Sequence, residues 1–145
     1  MREISSEIEI EASPEAVWNV LVDIGNWAEW NPIIADASGD LRIGAKLAIR
    51  MKGENNSEGP AYSPVLTAFQ KPELIRWRAK MMAEFLFRND KILELQRTDK
   101  GTKLMHKELF KGLLVPVFWS KMESGVPDML DRMNQACKEK VESKR

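Results

Sequence analysis

The chain has 145 residues, 43% of them hydrophobic, and its 22 lysines plus arginines balance 22 aspartates plus glutamates. That size and apolar share suit a single folded domain, 1–145, while the charge balance argues against nucleic acid as a partner, because neutralising phosphates needs a basic face. Cys137 is the lone cysteine, which excludes an internal disulfide and a cysteine-based zinc cluster.

Residues 1–13 lack an apolar leader segment. The longest apolar run, Gly112–Trp119, is too short to span a bilayer and contains Pro116. Both features point to a soluble, cytoplasmic protein with no transmembrane segment.

Residues 3–11 alternate, with Ile4, Ile8 and Ile10 set among glutamates, and predict a half-buried strand. Ser13-Pro14 then opens a helix whose apolar stripe is Val17, Trp18, Leu21 and Val22. Asn26, with Glu29 three residues on, predicts the cap of a second short helix carrying Trp27 and Trp30 and stopped by Pro32. Leu47, Ile49 and Met51 alternate with polar residues as a strand with one wet face, and the polar segment Gly53–Pro64 reads as a hairpin loop. Strands are predicted at 64–70, 73–81, 84–98 and 102–111. Neither parity of 84–98 separates apolar from polar residues, which suggests a bulge near Asn89-Asp90. Met122, Val126, Met129, Leu130, Met133, Cys137 and Val141 recur at steps of three and four on a C-terminal helix of about five turns. Pro127 places its start near Gly125. Strands and helices are segregated, so the fold class is α+β.

Three blocks carry a family resemblance: Ala12-Ser13-Pro14-Glu15-Ala16-Val17-Trp18, then Asp23-Ile24-Gly25-Asn26-Trp27-Ala28-Glu29-Trp30-Asn31-Pro32, and the strand Gly101–Gly112. The pattern resembles the START-like (SRPBCC, helix-grip) superfamily, in its polyketide cyclase/dehydrase-like and lipid-transport-like branch. The resemblance implies a curved seven-stranded antiparallel sheet wrapped round the C-terminal helix, two short helices after strand one, and a cavity between sheet and helix. It also implies an apolar ligand such as a lipid, quinone or polyketide. It does not assign a function by itself.

On 102–111 the lysines 103, 107 and 111 share one face, while Thr102, Leu104, His106, Glu108 and Phe110 share the other, expected to look inward. His106 is the single histidine. With Glu108 it forms the candidate catalytic pair, able to orient a ligand carbonyl or hydroxyl or to move a proton; the alternative is that both pair with backbone or with an arginine such as Arg88 or Arg76. Trp18 and Trp27 are expected in the core. Trp30 and Asn31 are candidates for the pocket mouth or for packing, and Trp77 is expected to face the cavity. Met51, Met122, Val126, Met129 and Met133 form either core or an adaptable ligand wall, and Phe118 joins the candidates. Gly112–Trp119 is open between packing against the helix, pocket rim, dimer contact and peripheral membrane contact. No metal-ligand spacing and no cofactor motif is seen. The leading expectation is a binding module for one small apolar ligand; the alternatives are a cyclase/dehydratase-type enzyme using His106 and Glu108, and a chaperone-activator-like interaction protein with a filled pocket.

Overall fold

A computed structural model describes residues 1–54 and 57–143. Asn55 and Asn56, within the predicted hairpin loop, and Lys144 and Arg145, at the basic end, lie outside the described residues.

The first strand, β1 (Arg2–Ile10), buries Ile4 and Ile10 and lies antiparallel to the last, β8 (Thr102–Lys111), with Arg2 opposite Phe110 and Ile10 opposite Thr102. Ser13 caps α1 (Pro14–Val22): its hydroxyl accepts from the Ala16 N–H at 3.2 Å, and Pro14 fills a first-turn position that needs no donor. A 3-10 turn, Ile24–Asn26, runs directly into α2 (Trp27–Trp30). Because that turn leaves no free helix end, Asn26 does not cap α2; its side-chain amide donates to Asp23 Oδ2 at 2.8 Å instead.

Among the described residues there are eight strands in two sheets, not the expected single seven-stranded one. The larger has the order β1-β8-β7-β6-β5, built from β5 (Val65–Gln70), β6 (Leu74–Lys80) and β7 (Arg88–Arg97) beside β8 and β1; the smaller has the order β2-β3-β4, from β2 (Ile34–Ser38), β3 (Ala48–Lys52) and β4 (Glu58–Tyr62). A short seam joins them: a bridge between Lys46 and Val65, and backbone bonds from Leu47 N–H to the Pro64 carbonyl (2.8 Å) and from Leu66 N–H to the Ala45 carbonyl (3.0 Å). Two strands were not expected. In β2 the register slips between Ile34 and Asp36, so its two buried residues, Ile34 and Ala37, fall three apart and the period of two is lost. In β4 the sequence Glu58-Gly59-Pro60-Ala61-Tyr62 is turn-like in composition, yet it pairs with β3 at the edge of the small sheet.

The predicted bulge at Asn89-Asp90 is absent, because β7 pairs without interruption from Arg88 to Arg97 with β8. Its mixed parity comes from charges on both faces. Asp90, 1% exposed, points outward and receives Arg76 at 2.7 Å and Arg78 at 2.8 Å, while the next residue, Lys91, points inward. Residue 81 and residues 84–87, expected to be strand, instead belong with 82–83 to a turn, with Met82 at φ 69° and Phe87 N–H bonded to the Ala83 carbonyl.

The last helix, α3 (Val115–Glu142), begins ten residues before the expected start. Pro116 sits in the first turn, where it is tolerated, and Pro127 lies inside the helix, where it forfeits one backbone bond without ending it. Gly112, at φ 134°, makes the corner into α3; a Cβ there would lie 2.4 Å from the Leu86 carbonyl oxygen. Gly112–Trp119 is therefore the corner and first turn of the helix, with Val115 buried but Leu113 and Val117 about 70% exposed (72% and 71%). The helix lies chiefly across β1, with α1 and β8 beside it. No helix among the described residues is long and apolar enough to cross a membrane.

Candidate functional site

Two apolar clusters fill the space under α3. The larger joins α1, α2 and both sheets to Met133, Cys137 and Val141; the smaller groups Ile4, Phe110, Val115 and Leu130. Between them is a cavity of about 280 Å³. The small sheet contributes Ile34, Met51 and Tyr62; the large sheet contributes Lys91, His106, Glu108 and Phe110; and α3 contributes Val126, Met129, Leu130 and Met133. Lys80, Met81, Phe87 and Asn89 line it where β6 turns into β7. A larger groove of about 480 Å³ lies on the outer side of the large sheet beside Gln70, Arg76 and Glu94, away from these ionisable groups.

Seven of the sequence candidates come together here: Met51, His106, Glu108, Phe110, Val126, Met129 and Met133. Five do not line the cavity. Trp77 is buried against Trp27, with ring centroids 5.8 Å apart, because α2 docks on that part of the sheet. Trp30 packs on Trp27 at 6.0 Å. Asn31 is buried as a turn residue, its side-chain oxygen accepting from the Ile33 N–H at 2.9 Å. Met122 packs on the smaller cluster, and Phe118 is 37% exposed beside Phe87. Trp18 and Trp27 are in the core, and Trp27 donates its indole N–H to the Leu21 carbonyl at 3.1 Å.

His106 is fully buried, and its tautomer is fixed by a chain of bonds running from the surface. Asp131 can only accept, so the Ser6 hydroxyl donates to it. The Ser6 oxygen in turn accepts from the Asn134 side-chain amide at 3.2 Å. That orients the Asn134 carbonyl toward His106 Nδ1, 2.9 Å away, and only an N–H can satisfy it. The imidazole therefore carries its proton on Nδ1 and keeps a lone pair on Nε2, which has no protein partner. Burial, then the charge of Lys91, push the His106 pKa well below its ordinary value, while the Asn134 bond opposes them. His106 is thus a neutral acceptor.

Arg76 and Arg88 are not its partners; both are ion-paired with Asp90 on the outer face. The charge on the inner face is Lys91, directly opposite Glu108 in the β7–β8 ladder. Their interaction is Coulombic and includes no hydrogen bond. What surface the two retain opens on the cavity, and burial dominates both: it pushes Lys91 down and Glu108 up, each opposed by the charge of the other. Tyr62 is held above its ordinary value by burial and by Glu108, so its hydroxyl remains a neutral donor. Burial likewise pushes the Cys137 thiol up to about 12, which makes it inert. No group of three metal-ligating side chains occurs among the described residues.

Sequence reasoning missed Lys91, Tyr62 and Asn134. Asn134 carried a readable signal, a polar residue four after Leu130 and three before Cys137 on the apolar stripe. Lys91 and Tyr62 carried none, since one sits on a strand of mixed parity and the other on a strand of turn-like composition.

A long C-terminal helix laid on a curved antiparallel sheet, with a lined cavity between them, defines a helix-grip protein of the SRPBCC type. The chain belongs to the family described as polyketide cyclase / dehydrase and lipid transport, whose profile matches residues 1–142. Solved structures with the same fold include a protein from Nitrosomonas europaea, at 15% identity and a TM-score of 0.75, covering 99% of this chain and 96% of that one. The di-domain ARO/CYC StfQ from the steffimycin biosynthetic pathway aligns at 10% identity and a TM-score of 0.79, covering 98% of this chain and 51% of that one. Ara h 8.0201 aligns at 14% identity and a TM-score of 0.69, covering 98% of each. No curated protein matches by sequence. Identities this low establish the shared fold alone.

Proposed function

We propose that the chain is a binding module for one small, largely apolar ligand, held in the cavity with its polar end toward His106, Lys91, Glu108 and Tyr62. The observation that carries this reading is His106 Nε2: a fully buried acceptor without a protein partner, on a residue that lines a cavity whose wall is mostly apolar. A buried polar atom left unpaired costs about 1–3 kcal/mol, and a ligand hydroxyl or N–H would recover it. The cavity has room for roughly ten to fifteen non-hydrogen atoms, near the lower end of ligand pockets. Burying about 200 Å² of ligand at ~25 cal/mol per Å² contributes roughly 5 kcal/mol before the entropy of association is deducted.

Native mass spectrometry of the purified protein is expected to reveal a co-purified small molecule, or calorimetry to detect saturable binding of a small apolar alcohol. If neither occurs, the reading fails.

A cyclase- or dehydratase-type reaction is the second reading. It is favoured by the placement of His106 and Glu108 two apart on β8, one a neutral base and the other a carboxyl with raised proton affinity. Turnover that survived His106→Ala would remove it. The open cavity counts against an interaction protein with a filled pocket.

A further inference from the structure

The position of Lys91 supports more than recognition. The geometry points to covalent capture of carbonyl compounds: we propose that the Lys91 amine forms a reversible Schiff base with a small apolar aldehyde or ketone in the cavity. The inference rests on the cavity being a ligand site.

Lys91 is on β7, between β6 and β8, and its side chain enters the cavity beside Met51, Phe110 and Met133. Lys80, the other lysine of the lining, lies exposed at its edge. Three groups with complementary proton roles share the cavity with Lys91. Glu108, its cross-strand partner, carries a carboxyl whose burial favours the protonated form. His106 offers the unpartnered Nε2 lone pair. Tyr62 presents a hydroxyl that remains protonated. Burial favours the uncharged, nucleophilic amine of Lys91 itself, the usual way a lysine is activated.

The step balances with these groups alone. The amine nitrogen attacks the carbonyl carbon; the new C–N bond forms as the C–O π bond breaks. His106 Nε2 takes one proton from nitrogen while the Glu108 carboxyl gives its proton to oxygen, leaving a neutral carbinolamine. The imidazolium then returns its proton to the hydroxyl, which departs as water as the nitrogen lone pair forms the C=N bond. The products are a protonated imine on Lys91, water, neutral His106 and a Glu108 carboxylate standing opposite the new positive charge. Hydrolysis runs the same steps in reverse. No oxidant or reductant is involved.

The test uses the full wild-type chain with hydrocinnamaldehyde and cyanoborohydride at neutral pH, followed by intact-mass analysis and peptide mapping. Hydrocinnamyl alcohol, which fits the same space and cannot form an imine, is titrated in parallel by tryptophan fluorescence. The expected result is one rapid reduced adduct per chain, on Lys91, formed about tenfold faster than on any exposed lysine and slowed by the alcohol. Lys91→Arg should lose this adduct, while exposed lysines are labelled at the wild-type rate. If the alcohol binds while Lys91 stays unlabelled, or labels no faster than exposed lysines, the Schiff base is overturned and the binding reading stands. If the alcohol does not bind and Lys91 is unlabelled, both fall. Mapping on the wild type decides the question even if the variant fails to fold.

Discussion

His106 on β8 and Asn134 on α3 meet through a 2.9 Å bond between Nδ1 and the side-chain carbonyl, and that one bond ties the sheet to the helix at the inner wall of the cavity. Replacing Asn134 by Leu should release the ring, leaving both nitrogens without protein partners at a cost of about 1–3 kcal/mol in urea denaturation. Nitrogen NMR of His106 should show a single Nδ1–H tautomer in the wild type and a mixture in the variant.

The depressed pKa of His106 makes stability depend on acid in a definite direction. The unfolded chain takes up a proton near the ordinary pKa of about 6.5, which the folded chain refuses until much lower pH. The contribution is complete above that value and is lost as pH falls, by up to about 1.4 kcal/mol per pH unit for one proton. Urea midpoints measured at neutral pH and at about pH 5 should differ more in the wild type than in His106→Leu, which removes this proton from the balance. Equal slopes in the two proteins would contradict a buried neutral imidazole.

Lys91 and Glu108 should behave as a mutually dependent pair. Lys91→Met leaves Glu108 facing an apolar chamber and Glu108→Met does the same to Lys91, so each single change should cost about 1–3 kcal/mol. The double variant should recover most of that loss, because well-packed apolar replacements of a desolvated pair are near neutral in stability. It should also bind apolar probes while losing preference for those with a carbonyl, whereas the preference for a hydroxyl, which His106 accepts, should persist.

Trp27 tests the boundary between core and cavity. At 1% exposure, packed on Trp77 and Trp30 and bonded to Leu21, it should cost about 3–5 kcal/mol when replaced by Ala. Trp77→Phe should leave probe affinity nearly unchanged, because that ring lies outside the lining.

The fold was largely readable because its outer elements have clean periodicity. The alternation of β1 and β8 and the three–four spacing of α3 each place one face against the core. Pro127 misled on the length of α3, since the proline penalty is local and packing on both sides of it carries the helix through. The candidate site was half readable. Residues on strands of regular parity, such as His106 and Glu108, could be assigned a face. Lys91 could not, because Asp90, its neighbour, is buried on the opposite face beneath Arg76 and Arg78 and makes both parities look polar. Trp77 was given the correct face of β6 but not its neighbour: sequence shows which way a side chain points, and only the docking of α2 shows what it meets.

The division into two sheets separates capacity from chemistry. Lys91, His106 and Glu108 stand on the five-stranded sheet, whereas Ile34 and Met51, together with the Tyr62 hydroxyl, belong to the three-stranded sheet beyond the seam at Lys46 and Val65. Under the proposed function, exchanging Ile34 or Met51 for smaller or larger side chains should alter how bulky a guest is admitted and leave Lys91, His106 and Glu108 in place. Variation in the minor sheet would then retune size while the major sheet keeps its polar groups.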